Sequence, residues 1–241
     1  FPALIRTYGI DLLFVFHGAV ALAILPVLFW LPKYATGRPI ASGDTTPAKI
    51  KPLLICFAAF GCFTLAEGGV WSYVERIGAG AGLSAEYVGE VLAGTQVASF
   101  CAALLASWLS IRFGRSLPIL AGMLAFMVSF YLLQIPDSTS YLIGACLSQF
   151  AWIFVLPYLM LLCVELDTSG RYYVLITATK MGGFALGPAI IATLLMRDGA
   201  TQPATSGLVV QDFAMVSWMG GIFVLISLVL LLPLAIRMDR S

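Results

Sequence analysis

Seven apolar stretches follow one another along this chain, approximately at 10–31, 52–74, 91–111, 117–135, 141–164, 172–196 and 213–236. A helix rises about 1.5 Å per residue, so roughly 20 apolar residues cross a hydrocarbon core of about 30 Å. Only the fourth stretch is short, and it is nearly free of charge. In hydrocarbon each peptide group needs an internal partner, and consecutive long apolar runs supply one only as helices. The expected fold class is all-α, a polytopic transmembrane helical bundle of about seven helices with the lipid bilayer as its surroundings. The chain is 61% hydrophobic and 10% charged, with a mean hydropathy of +0.99. A soluble domain carries about 25% charged residues, so a water-soluble core does not fit this composition. A net charge of +1 offers no electrostatic footing for nucleic acid.

Loop charge orients such a bundle, because cytoplasmic loops hold the excess of Lys and Arg. One set of alternate loops carries Lys33, Arg38, Lys49, Lys51, Arg112, Arg115, Arg171, Arg237 and Arg240. The other set carries Arg6, Arg76 and Arg197, and Lys180 lies inside a segment. The first set is read as cytoplasmic, with the N-terminal end of the chain outside and the C-terminus inside. The expected location is the bacterial inner (plasma) membrane. The chain starts at Phe1 without Met and runs directly into an apolar stretch too long for a signal peptide. An N-terminal portion is therefore expected to be missing.

Organisation follows from the loops. Residues 1–32 hold the first transmembrane helix. Residues 33–51 form a cytoplasmic loop rich in Pro, Gly, Ser and Thr, which reads as a flexible linker. Residues 52–241 hold six segments with mostly short connections, expected as one compact six-helix bundle. The five cysteines, Cys56, Cys62, Cys101, Cys146 and Cys163, all fall in apolar segments without metal-ligand spacing. They read as small hydrophobes, with no disulfide and no metal.

The intramembrane polar residues carry the functional signal, since ionisable groups in a membrane core are costly. Glu67 sits about 15 residues past Pro52, roughly 22 Å from the cytoplasmic end. A carboxylate there must be protonated, paired or hydrated. It reads either as a proton-coupling group or as a neutral hydrogen-bonding group in the core. Trp71 follows four residues later on the same face, and Tyr73, Glu75 and Arg76 read as an outer-interface anchor. Lys180 lies roughly 13 Å into its segment. It holds an anionic group or Glu67 through a water, or it snorkels to the surface. Gln96, Gln149 and Trp152 are expected to line a polar cavity with stacking surfaces, or the amides to bond between helices. His17, in the first segment, is read as structural.

Small residues form two further patterns. Gly94, Ala98, Ala102 and Ala106 repeat every fourth position along one helix face. Gly183 and Gly187 form a G-x-x-x-G pair that permits close backbone approach, followed by Pro188.

The turn after the third segment reads Ser107-Trp-Leu-Ser-Ile-Arg112-Phe-Gly114-Arg115. It resembles the loop motif G-x-x-x-D-R-x-G-R of the major facilitator superfamily of secondary transporters. Arg112, Gly114 and Arg115 match, Ser107 stands for the first Gly, and Ile111 stands for the Asp. The segment with Gly187-Pro188 resembles that superfamily's eleventh helix. The layout of one helix, a long cytoplasmic loop and six helices resembles the sixth helix, central loop and C-terminal half of a member. The resemblance implies a transporter that moves a small polar or organic solute by alternating access at the bilayer midplane. It implies as partners a small-molecule substrate and a missing N-terminal half, met by the two small-residue stripes. Within it, Trp71, Gln96, Gln149, Trp152 and Lys180 are candidate substrate-binding residues, and Glu67 is the candidate for proton coupling. A seven-helix receptor or a non-transporting membrane scaffold is the alternative.

Enzymatic constellations are missing from the sequence. It holds one histidine and no HExxH, GxSxG or GxxxxGK[ST] pattern. No cofactor spacing is present, so neither an enzyme nor a cofactor protein is expected.

Overall fold

The computed structural model describes residues 50–167, 172–197 and 210–240, together with residues 15, 16, 18, 19, 22, 23 and 26. The chain divides into two units, Phe1–Thr46 and Pro47–Ser241. In the first unit, Val15, Phe16, Gly18, Ala19, Leu22, Ala23 and Pro26 are helical. His17 and most of the 33–51 loop lie outside the described residues.

The second unit is all helix among its described residues. Its elements are α1 (Ile50–Trp71), α2 (Val74–Gly80), α3 (Ala85–Leu109), α4 (Ser116–Leu132), α5 (Ser138–Leu166), α6 (Tyr173–Arg197) and α7 (Val210–Asp239). Five of these, α1, α3, α5, α6 and α7, are long and apolar enough to cross a membrane, and α4 is a shorter apolar helix of 17 residues. The molecule is a helical membrane bundle.

The helix ends follow local chemistry. The stretch assigned to 52–74 breaks after Trp71, where a tight turn starts the short α2. Ser84 caps α3, its side chain accepting the Tyr87 N–H, so that helix starts six residues before the apolar run at 91. Hydrophobicity marks what lies in lipid, whereas a cap marks where the backbone begins to coil. Asp137 caps α5 by accepting the Ser140 N–H at 3.0 Å.

Two helices sit centrally and the others wrap them. Along its apolar window α1 is 61% buried and α5 56%, against 22% for α3 and α6. α1 packs on α6 and α7, α5 packs on α3 and α4, and α4 closes against α7. Aromatic rings fill the centre: Phe63 meets Phe126 at 5.4 Å, and Phe126 meets Phe130 at 4.5 Å. The outward faces keep large apolar groups exposed, such as Val97, Phe100, Leu104 and Trp108 on α3 and Trp218 and Val229 on α7. Hydrocarbon accepts these side chains without the penalty water would impose.

Contacts set the relative directions of the helices. Gly61 of α1 lies against Thr179 of α6, and Gly69 lies against Gly187, so α1 and α6 run parallel. Phe63 stacks on Trp152 while Glu67 bonds Gln149, so α5 runs antiparallel to both. Tyr87 donates to the Ser138 carbonyl, and Tyr158 to the Ala106 carbonyl, so α3 and α5 run parallel with a nearly constant offset.

Candidate functional site

Glu67 lies about four-fifths of the way along α1, one turn before its end, and is 2% exposed. Its Oε1 accepts a hydrogen bond from Gln149 Nε2 of α5 at 2.8 Å. Its Oε2 is buried without a hydrogen-bond partner among the described residues. A carboxyl oxygen so placed is costly to leave unpaired, so it is available to a proton, a water or a ligand group.

Aromatic side chains wall this carboxyl–amide pair. Trp152, one turn beyond Gln149 on α5, stacks on Phe63 with centroids 5.1 Å apart. Phe184 of α6 meets the other side of that cluster, its ring edge-on to Trp152 at 5.1 Å. Thus α1, α5 and α6 each contribute to one cluster at one depth. Trp71 is the last residue of α1 and packs half-buried against the core.

The structure brings together Glu67, Gln149 and Trp152, but not the other candidates. Lys180 is half-buried on α6 and makes no hydrogen bond or ion pair with any described residue. Lys180 and Glu67 form no direct ion pair; Oε1 of the carboxyl is bonded to Gln149 of another helix. Gln96 is exposed on α3 and is not bonded to Gln149. By the offset of the parallel α3 and α5, it lies level with Leu147 and Ser148, about a residue short of Gln149.

A groove of about 620 Å³ runs between α3 and α5, starting two turns past Gln96 and one turn past Gln149. Ala103, Ser107 and Ser110 line it from α3, and Ile153, Leu156 and Met160 line it from α5. At helical spacing, Gln96, Ser99, Ala103, Ser107 and Ser110 share one flank of α3. Gln149, Ile153, Leu156 and Met160 share one flank of α5. The groove therefore continues the flanks that carry the two glutamines.

The small-residue stripes have places inside the bundle. A Cβ at Gly183 would collide with Thr64 of α1, and one at Gly187 would come within 2.6 Å of Gly69 N and Leu65 O. This pair is committed to α1, which corrects the expectation that it meets an absent half: the close approach it allows is already used. On α3, Ala102 is fully buried and Ala106 is 7% exposed. Ala98 is half-buried and Gly94 has open space beside it. Only the N-terminal end of that stripe is uncovered.

The turn after α3 is a charge clamp. Gly114 has φ +72, and a Cβ there would run into the Asp239 carboxylate. Asp239 of α7 accepts the backbone N–H groups of Arg115 at 2.9 Å and Ser116 at 2.9 Å, capping α4 from another helix. The Arg115 guanidinium reaches Glu165 of α5 and Asp239 of α7. Arg112 instead lies over the Trp108 ring, 5.7 Å from its centroid. Both carboxylates that bind this turn thus come from two other helices. Sequence reasoning missed Asp239, whose one signal is an acid inside the otherwise basic Arg237-Met-Asp239-Arg240 end. It also missed Phe63, which lies four residues before Glu67 on the same face.

The five cysteines are unpaired with respect to disulfides. No cluster of metal-binding side chains occurs among the described residues. Compared with protein-family models, with curated proteins and with solved structures, the chain has no match.

Proposed function

We propose that this chain is the core of a secondary transporter that moves a small organic solute across the membrane by alternating access, with Glu67 as the proton-coupling group. One observation carries the reading. A carboxyl buried between α1 and α5 keeps one oxygen unbonded while an amide holds the other. A purely structural carboxyl would gain from pairing both oxygens, whereas a proton carrier must offer one. The aromatic cluster on the neighbouring turns supplies shape, and the groove between α3 and α5, one turn past Gln149, supplies room for a solute body. The loop charges support a cytoplasmic position for the Arg115 clamp, with the Asp137 loop outside. The likeness of the layout and of the Arg112–Gly114–Arg115 turn to the major facilitator superfamily supports the same function, with a second half completing the pathway.

The test is solute-dependent proton movement. The purified protein is placed in liposomes loaded with a pH-sensitive dye, and candidate solutes are added outside. The wild type is expected to change internal pH with its solute. Glu67→Gln, which mimics a permanently protonated carboxyl, is expected to abolish that change while retaining solute exchange. Equal proton movement in the Gln variant would overturn the role of Glu67.

A further inference from the structure

Lys180 poses an unanswered question of charge. It is half-buried in a membrane-length helix and unpaired among the described residues, while Glu67, the nearby deep carboxyl, is bonded elsewhere. A cation in such surroundings gains from an anionic partner. Its depth can be read from the rings. Phe184 meets Trp152, so these residues are level. Lys180 lies one turn before Phe184 on α6, and Leu156 one turn after Trp152 on the antiparallel α5, each about 6 Å in the same direction. Lys180 is therefore level with Leu156, which lines the groove between α3 and α5.

Among the described residues, no acidic or basic side chain lines that groove. Its walls are apolar apart from the hydroxyls of Ser107, Ser110 and Tyr158. At about 620 Å³ it is sized for a drug-like molecule rather than for an inorganic ion. We infer that the solute of this site is an amphipathic organic anion, its apolar body in the groove between α3 and α5 and its acidic group on Lys180. The inference rests on the transporter reading of the same site and adds the substrate class. It also divides the work: Lys180 takes the charge of the solute, Glu67 takes the proton, and the two do not neutralise each other.

Equilibrium binding to the purified full-length protein in detergent tests this without requiring transport. The probe is radiolabelled 1-naphthylacetate, with acetate, glucose and tetraphenylphosphonium as unlabelled competitors. Naphthylacetate is expected to bind saturably, with neither glucose nor the phosphonium cation displacing it and acetate displacing it only weakly. Lys180→Gln is expected to weaken binding about tenfold or more, and Lys180→Arg to restore most of it. Ala103→Trp, at an exposed position, is expected to fill the groove and block the probe. Unchanged binding in Lys180→Gln would mean that Lys180 merely snorkels, and would overturn the inference. Preferential binding of the cation or of glucose, or no saturable anion binding at all, would overturn it equally. Binding lost in Lys180→Gln but without proton movement in liposomes would uphold the substrate class and sink the transporter reading. Proton movement driven by glucose would do the reverse.

Discussion

Gln149 holds Glu67, and its loss leaves both carboxyl oxygens without a donor. An unsatisfied buried acceptor costs about 1–3 kcal/mol. Gln149→Leu is therefore expected to lower unfolding stability in detergent by about that amount, whereas Gln149→Glu would set two carboxyls together and cost more. Measured denaturation midpoints check both. At the rim, the Ser140 backbone N–H donates to Asp137, and this bond holds its carboxyl below the usual carboxylate range. A carboxyl lowered in the folded state stabilises above its unfolded value of about 3.9, and that contribution is lost as pH falls through the folded value. Asp137→Ala is expected to lower the melting temperature at neutral pH, with the gap to wild type closing in strong acid. Asp137→Ser should retain the cap, and thermal scans across pH would show it.

At the scale of elements, the contact between α1 and α6 depends on absent side chains. Gly183 faces Thr64, and Gly187 faces the backbone of Leu65 and Gly69. Even a methyl group at either position must separate the helices, at about 1–3 kcal/mol. Gly182 and Gly94 have open space where a Cβ would go. Gly183→Ala and Gly187→Ala are expected to destabilise, and Gly182→Ala and Gly94→Ala to be neutral or slightly stabilising. A set of four melting curves separates the pairs. If all four behave alike, this packing of α1 on α6 is wrong. The same comparison tests whether Gly183 serves the bundle or an outside partner, because an outside partner would leave the isolated chain indifferent to Gly183→Ala.

Across the whole second unit, one acid ties together three helix ends. Asp239 closes the last turn of α7 onto the first turn of α4, and Arg115 carries the link on to Glu165 of α5. Asp239→Ala removes the cap and an ion-pair partner at once, an expected loss of roughly 1–2 kcal/mol. Asp239→Asn keeps the cap and should recover part of it. In intact cells, a cysteine at Thr139 is expected to react with an impermeant thiol reagent, and one at Phe113 is not; both positions are exposed. Labelling of Phe113→Cys alone would invert the proposed orientation.

The sequence by itself determined the class of molecule and the identity of the costly residues. Apolar runs of membrane length can satisfy their backbones only as helices, so the bundle was legible without any contact being known. Glu67 and Lys180 stood out because ionisable groups are rare in such runs. Gly114 was readable as a turn because its neighbours are charged and its own side chain is missing. Partnership was another matter. That Glu67 turns to Gln149 and leaves Lys180 unpaired among the described residues depends on α5 lying antiparallel against α1. That Gly183 and Gly187 serve α1 depends on α6 running parallel to it. That Asp239 caps the turn before α4 depends on two helix ends far apart in the chain meeting in space. Hydropathy is a property of each segment alone and survives in the sequence, whereas a hydrogen bond between segments is a property of their packing, and only the tertiary structure decided it.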